Sequence, residues 1–154
     1  MNIIELKERK NISDNIKLNR IYVQFGELLK ELDKKDLPVK SIESINQDIT
    51  ELNSISLVSA NFSKLIKQKQ TKIIKVIEKE LKIVPKNYYR NIWLAVGMSA
   101  FGLPIGVAFG LSVGNMGLLA IGLPFGMAIG IAVGSKMDKK AFEEGRQLNI
   151  EVKY

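Results

Sequence analysis

The side chains best placed to do chemistry are cationic. Between residues 61 and 90 the chain carries Lys64, Lys67, Lys69, Lys72, Lys75, Lys79, Lys82, Lys86 and Arg90 against only Glu78 and Glu80. Ammonium groups at this density bind phosphate oxygens, in lipid headgroups or in nucleic acid, and near an anionic leaflet each is worth about 1 kcal/mol. No aromatic residues interleave these lysines for base stacking, and an uncharged segment lies directly after them. Anionic lipid is therefore the expected partner, and nucleic acid is disfavoured. A solvated helix face obeying the positive-inside bias accounts for the same lysines without any specific lipid site. The carboxylates offer less: Glu27, Glu31, Asp48 and Glu51 fall on polar helix faces, where a solvated surface outweighs a catalytic pair. The chain has no cysteine and no histidine. That excludes disulfides, thiol chemistry, imidazole catalysis and nearly all zinc or transition-metal sites, so neither an enzyme nor a metal or cofactor is expected.

The position of these charges is governed by the apolar segment beside them. Between Arg90 and Lys136 lie 45 residues without a charge, and within them a repeat, GLPIGVAFGLSVG from Gly102 and GLPFGMAIGIAVG from Gly122. Four-residue spacing puts Gly102, Gly106, Gly110 and Gly114 on one helix face, and Gly122, Gly126, Gly130 and Gly134 on another. Glycine in a helix interior costs roughly 0.5 to 1 kcal/mol relative to alanine, so such ladders make sense where backbones touch. A hydrocarbon core of about 30 Å needs about 20 helical residues. The uncharged run is long enough for two crossings, 92–113 and 116–135. In an antiparallel hairpin turning at Gly114 and Asn115, Gly106 opposes Gly122 and Gly102 opposes Gly126, while Gly110 and Gly130 are left for other contacts. Since eight glycines exceed the needs of one helix pair, a homo-oligomer is expected.

Pro104 and Pro124 occupy the same place in each copy. Each removes the bond to the carbonyl four residues earlier, at Ala100 and Ala120, which predicts matched hinges or exposed carbonyls. Ordinary tolerance of proline in membrane helices is the plainer reading. Neither span holds an ionisable residue, which counts against a proton relay or a charged selectivity ring. A pore would have to be lined by Ser99, Ser112, Asn115, backbone carbonyls or apolar side chains.

Basic residues flank both ends of the run, Lys75, Lys79, Lys82, Lys86 and Arg90 before it and Lys136, Lys139 and Lys140 after it, and none lies in the turn. By the positive-inside bias both termini are cytoplasmic, with Tyr88, Tyr89 and Trp93 forming an interfacial aromatic belt. No cleavable signal peptide is expected.

Residues 1–84 read as a cytoplasmic helical domain. Leu18, Ile21, Phe25, Leu28 and Leu32 step by three and four after Ser13, a good N-cap, and Asp14, which suits a first turn. A second helix starting near Ser41 carries Ile42, Ile45, Ile49 and Leu52. A third, the basic juxtamembrane helix from about Ala60 to Val84, carries Phe62, Leu65, Ile66, Ile73, Ile77, Leu81 and Val84. Each stripe is too narrow to be buried alone, so three helices packed together, or a coiled coil between copies, is expected. Ile3, Ile4 and Leu6 offer a short additional helix, 85–91 an interfacial linker, and 136–154 a cytoplasmic tail.

The ladders resemble the glycine zippers of oligomeric membrane proteins and channels, and the ending SKMDKKAFEEGRQL looks like the ends of small bacterial membrane proteins. These resemblances imply an all-α, multi-pass protein of the bacterial inner membrane. The expected function is an oligomeric effector that forms a pore or perturbs the membrane, gated by its cytoplasmic helices. The alternative is a non-conducting anchor, adaptor or immunity-type protein holding a cytosolic partner through residues 13–84. A toxin that stores its hairpin in water, as pore-forming colicins resemble, is disfavoured because about 90 residues can hardly wrap it.

Overall fold

The computed structural model describes residues 2–9, 12, 15–55 and 61–153; Ser13, Asp14 and Ala60 lie outside the described residues. The chain divides into two compact units, Met1–Val84 with Leu148–Tyr154, and Pro85–Gln147.

In the first unit, α1 spans Ile16–Asp33 and is capped by Asn15, whose side-chain oxygen accepts the Leu18 N–H at 3.0 Å. Helix α2, Val39–Ser54, starts directly after Pro38, whose fixed φ and missing N–H suit a helix entry. Helix α3, Phe62–Leu81, packs against both α1 and α2. Their stripes meet in a core where Phe25, Leu28, Leu32, Ile49, Leu52, Phe62, Ile66 and Ile77 are fully buried. Residues 2–9 form no helix; they run extended along α2.

Asp48 is a second departure from expectation. It is buried at 3% exposure, and its carboxylate holds Lys69 at 2.8 Å and Lys72 at 2.9 Å. Lys69, its side chain mostly withdrawn from solvent, and the more exposed Lys72 thus both pair with the carboxylate on α2. Hydrogen bonds from Lys69 to Asp48 and Glu51 raise the Lys69 pKa above the ordinary 10.5. This contribution is full below 10.5 and is lost as pH rises through the higher folded value. Lys69→Ala should lower unfolding free energy by about 2 kcal/mol at pH 7, because the Asp48 carboxylate is left buried with Lys72 as its remaining cation. The gap between wild type and variant in urea midpoint should narrow above the folded Lys69 value.

The chain is mostly helical but not all-α. Helix α3 stops at Leu81 because Lys82 enters the left-handed region at φ 56°, its N–H bonding Glu78 O at 3.0 Å. Val84, expected as the helix end, instead opens strand β1, Val84–Lys86, which pairs with β2, Gln147–Glu151. The basic helix therefore does not run on into the first span. The expected tail is divided: residues 136–143 continue a helix, whereas Leu148, Ile150 and Val152 are buried in the first unit.

The second unit holds α4, Tyr88–Gly97, a π-helical turn, Met98–Gly102, then α5, Leu103–Val113. A short 3₁₀ turn, Met116–Leu118, leads into α6, Leu119–Glu143. Two helical stretches, Tyr88–Val113 and Met116–Glu143, are long and apolar enough to cross a membrane. The first starts inside the expected linker 85–91, since Asn87 at φ 59° ends the strand and α4 begins one residue later.

Candidate membrane hairpin

The seam between the two apolar stretches is made of backbone. A Cβ on Gly122 would lie 2.6 Å from Gly106 Cα, and one on Gly126 would lie 2.7 Å from Gly102 Cα. Real Cβ atoms do not approach so closely, so these positions tolerate only glycine. The expected pairing of Gly102 and Gly106 with Gly122 and Gly126 is the register seen.

The outer positions are used within the same hairpin, which corrects the expectation that they are left over. Gly130 faces Leu94 and Gly134 faces Arg90, with added Cβ atoms 3.0 Å and 2.5 Å from their Cα atoms. Gly110 is less tightly enclosed, its added Cβ falling 3.3 Å from both Asn115 O and Met116 Sδ in the turn. Gly114 is no ladder residue: it takes φ 72° at the end of α5, with open space around it. It makes the turn, and the Asn115 N–H bonds Gly110 O at 2.9 Å.

Gly97 was missed by four-residue spacing. It faces Gly126 and Gly130, its added Cβ falling 2.8 Å from Gly130 Cα. The π turn explains this. Pro104 has no N–H to donate to Ala100, and the Leu103 N–H reaches back five residues to Met98 O. Pro124, in contrast, sits inside uninterrupted α6. The matched prolines therefore sit in different local helix geometry.

Side chains complete the division between inside and outside. Gly97, Gly102, Gly106, Gly110, Gly122, Gly126, Gly130 and Gly134 are buried. Ile92, Phe101, Val107, Phe109, Phe125 and Ile129 are exposed. The Ser99 hydroxyl donates to Ala95 O at 3.0 Å and that of Ser112 to Ala108 O at 2.7 Å, so both are turned onto their own helix.

At the open end of the hairpin, Asp138 does what no sequence pattern announced. It is 7% exposed on α6, and its two oxygens accept the Tyr89 and Arg90 N–H groups at 3.0 and 2.9 Å. Asn87, at the N-cap position of α4, makes no side-chain cap bond. A carboxylate from the opposite helix thus caps α4 and meets its positive dipole end. An aspartate one turn past Gly134 is the only trace in the sequence. Asp138→Ala should cost about 1 to 2 kcal/mol and speed hydrogen exchange at the Tyr89 and Arg90 amides, with Asp138→Asn intermediate.

The expected headgroup residues are divided between the units. Lys75, Lys79 and Lys82 are exposed on or just after α3 of the first unit, with Lys82 3.6 Å from Glu78. In the second unit Lys86, Arg90, Lys136, Lys139 and Lys140 are exposed, while Tyr88, Tyr89 and Trp93 are half-buried. The Tyr88 and Tyr89 rings meet edge to face at 5.3 Å. Lys139 and Lys140 lie 3.8 Å from Glu143 and Glu144, exposed pairs worth little in water. No family model matches the chain, and no curated protein or solved structure matches it either.

Proposed function

We propose that the chain is a membrane-anchored protein whose hairpin, 88–143, crosses the bilayer twice and holds the helical unit at the cytoplasmic face of a bacterial inner membrane. The observation that carries this reading is the inversion of the hairpin: its glycines are buried and its large apolar side chains face outward. Water penalises that arrangement by about 25 cal/mol per Å² of apolar surface, and lipid does not. The chain leaves the first unit at Val84 and returns to it at Leu148. A double crossing keeps both ends on one side, and the lysine and arginine flanks favour the inside. Lys86, Arg90, Lys136, Lys139 and Lys140 then meet anionic headgroups.

An oligomeric pore or membrane-perturbing effector is the second reading, favoured by the π turn, a feature frequent at functional sites, and by the large exposed apolar side chains of the outer faces. Self-association would use those faces, because the glycines are engaged within the hairpin. The serine hydroxyls, bonded to their own helices, weigh towards the non-conducting anchor. Purified protein in liposomes containing anionic lipid should resist alkaline extraction and pass no current. Sustained conductance abolished by Gly122→Leu would replace the anchor with the pore. Since the chain has no native cysteine, Asn2→Cys, Met116→Cys and Lys153→Cys report topology. Only Met116→Cys should label from outside the cell.

A further inference from the structure

Two asparagines on α2 grip the first residues of the chain by their main chain. Asn46 Oδ1 accepts the Ile4 N–H at 2.8 Å, and its Nδ2 donates to Asn2 O at 3.1 Å. Asn53 repeats the pattern: Oδ1 accepts the Lys7 N–H at 2.9 Å, and Nδ2 donates to Glu5 O at 3.2 Å. Each amide therefore brackets one residue, Ile3 in the first case and Leu6 in the second, bonding the carbonyl before it and the N–H after it. Those two residues are half-buried, whereas Ile4, Glu5 and Lys7 are exposed.

The spacing is matched on the two sides. Seven residues of α-helix rise about 10.5 Å, and three residues of extended chain advance roughly 9 to 10 Å. Asparagines seven apart on α2 therefore meet peptide groups three apart. A third anchor continues the step of three: Arg9 is half-buried, donates to Leu52 O at 2.8 Å and lies over the Phe62 ring at 4.9 Å. Tyr22 closes the groove by donating its hydroxyl to Lys7 O at 2.6 Å. Asn46 is 7% exposed with residues 2–9 in place, and both polar ends of its amide are spent on their main chain.

We infer that α2, Tyr22 and Phe62 form a peptide-binding site that takes an extended segment of the pattern apolar-x-x-apolar-x-x-Arg, and that residues 2–9 occupy it in cis. The site reads main-chain amides through Asn46 and Asn53 and selects side chains only at the three inward positions. A partner polypeptide presenting that pattern competes with the chain's own segment and releases it. The inference is independent of whether the hairpin crosses a membrane.

The test uses a fluorescein-labelled peptide of residues 2–9 and full-length protein in detergent. Ile4→Pro with Lys7→Pro removes both donor amides of the cis segment and leaves the groove intact. This variant should bind the labelled peptide at least tenfold more tightly than wild type, measured by fluorescence anisotropy. A chain lacking residues 2–9 should do the same if circular dichroism shows its helices retained. Adding Asn46→Ala and Asn53→Ala should abolish the binding. A peptide N-methylated at Ile4 and Lys7 should fail to bind, and so should one with Arg9→Glu, whereas changes at Glu5 and Glu8 should be tolerated. Equal binding of the N-methylated peptide, or no binding by the proline variant with its helicity intact, overturns the proposal. Should both altered chains unfold, hydrogen exchange on the wild type decides. Excess unlabelled peptide should leave the α2 amides protected while raising exchange of the chain's own Ile4 and Lys7 amides, and unchanged exchange there overturns it.

Discussion

Gly122→Ala separates the two apolar stretches. One methyl group at this position would be driven into Gly102 O, the Gly106 N and, at 2.6 Å, the Gly106 Cα. None of these atoms belongs to a side chain that can rotate away, so the helices must move apart along the seam. The expected cost is about 3 kcal/mol or more, at the upper end of overpacking penalties, because backbone contacts on both sides of the position are lost together. Gly102→Ala, whose Cβ would lie 3.2 Å from Leu123 Cα, should cost less, as should Gly110→Ala, whose nearest atoms lie at 3.3 Å and include the flexible Met116 side chain. Gly26→Ala in α1 meets nothing within 4 Å and should stabilise its helix by roughly 0.5 to 1 kcal/mol. Thermal melting in detergent, with a distance probe between the spans, reads this order. A Gly122→Ala protein that melts with the wild type would show the seam to be looser than its geometry.

Leu148→Asp melts the first unit. Leu148 is wholly buried there, with Ile150 and Val152 beside it in the same short segment. An aspartate at this point would bury a carboxylate without a cation, costing about 4 kcal/mol or more, and Leu148→Ala should cost about 2 to 4 kcal/mol through the cavity it leaves. Loss of the Phe25, Phe62 and Ile77 core should result, read as lost helicity and accelerated exchange in α1 and α3. A protein ending before Gln147 should behave like Leu148→Asp. Retention of full helicity by either variant would show that the last segment is dispensable to the core.

Periodicity made much of this legible. Steps of three and four marked α1, α2 and α3, the charge gap marked the hairpin, and the fourfold glycine spacing marked the register of Gly102 and Gly106 against Gly122 and Gly126. What periodicity could not show are contacts between residues distant in sequence. Asp138 caps a helix that starts 50 residues before it, and a carboxylate on a helix surface looks the same whether solvated or capping. Residues 147–151 are too few to declare a strand until their partner, itself three residues long, is known. Ile3, Ile4 and Leu6 suggested a helix because their neighbours were not visible, yet Asn46 and Asn53 supply the backbone bonds that a helix would have made internally. The surplus attributed to the glycines came from counting them before Leu94, Arg90 and Met116 had been placed opposite.

The π turn gives the first span a property its partner lacks. In an unbroken α-helix the five residues from Gly97 to Gly102 would turn about 500°, leaving the two glycines about 140° apart. The wider turn absorbs that difference, so Tyr88–Gly97 and Leu103–Val113 are phased independently about one axis. Shifting the π turn one helical turn towards Leu94 would rotate the intervening residues by about 100°, swinging Gly97 out of line while Gly102, Gly106 and Gly110 stay in place. Continuous α6 holds no such turn, so this choice of phase belongs to the first span alone.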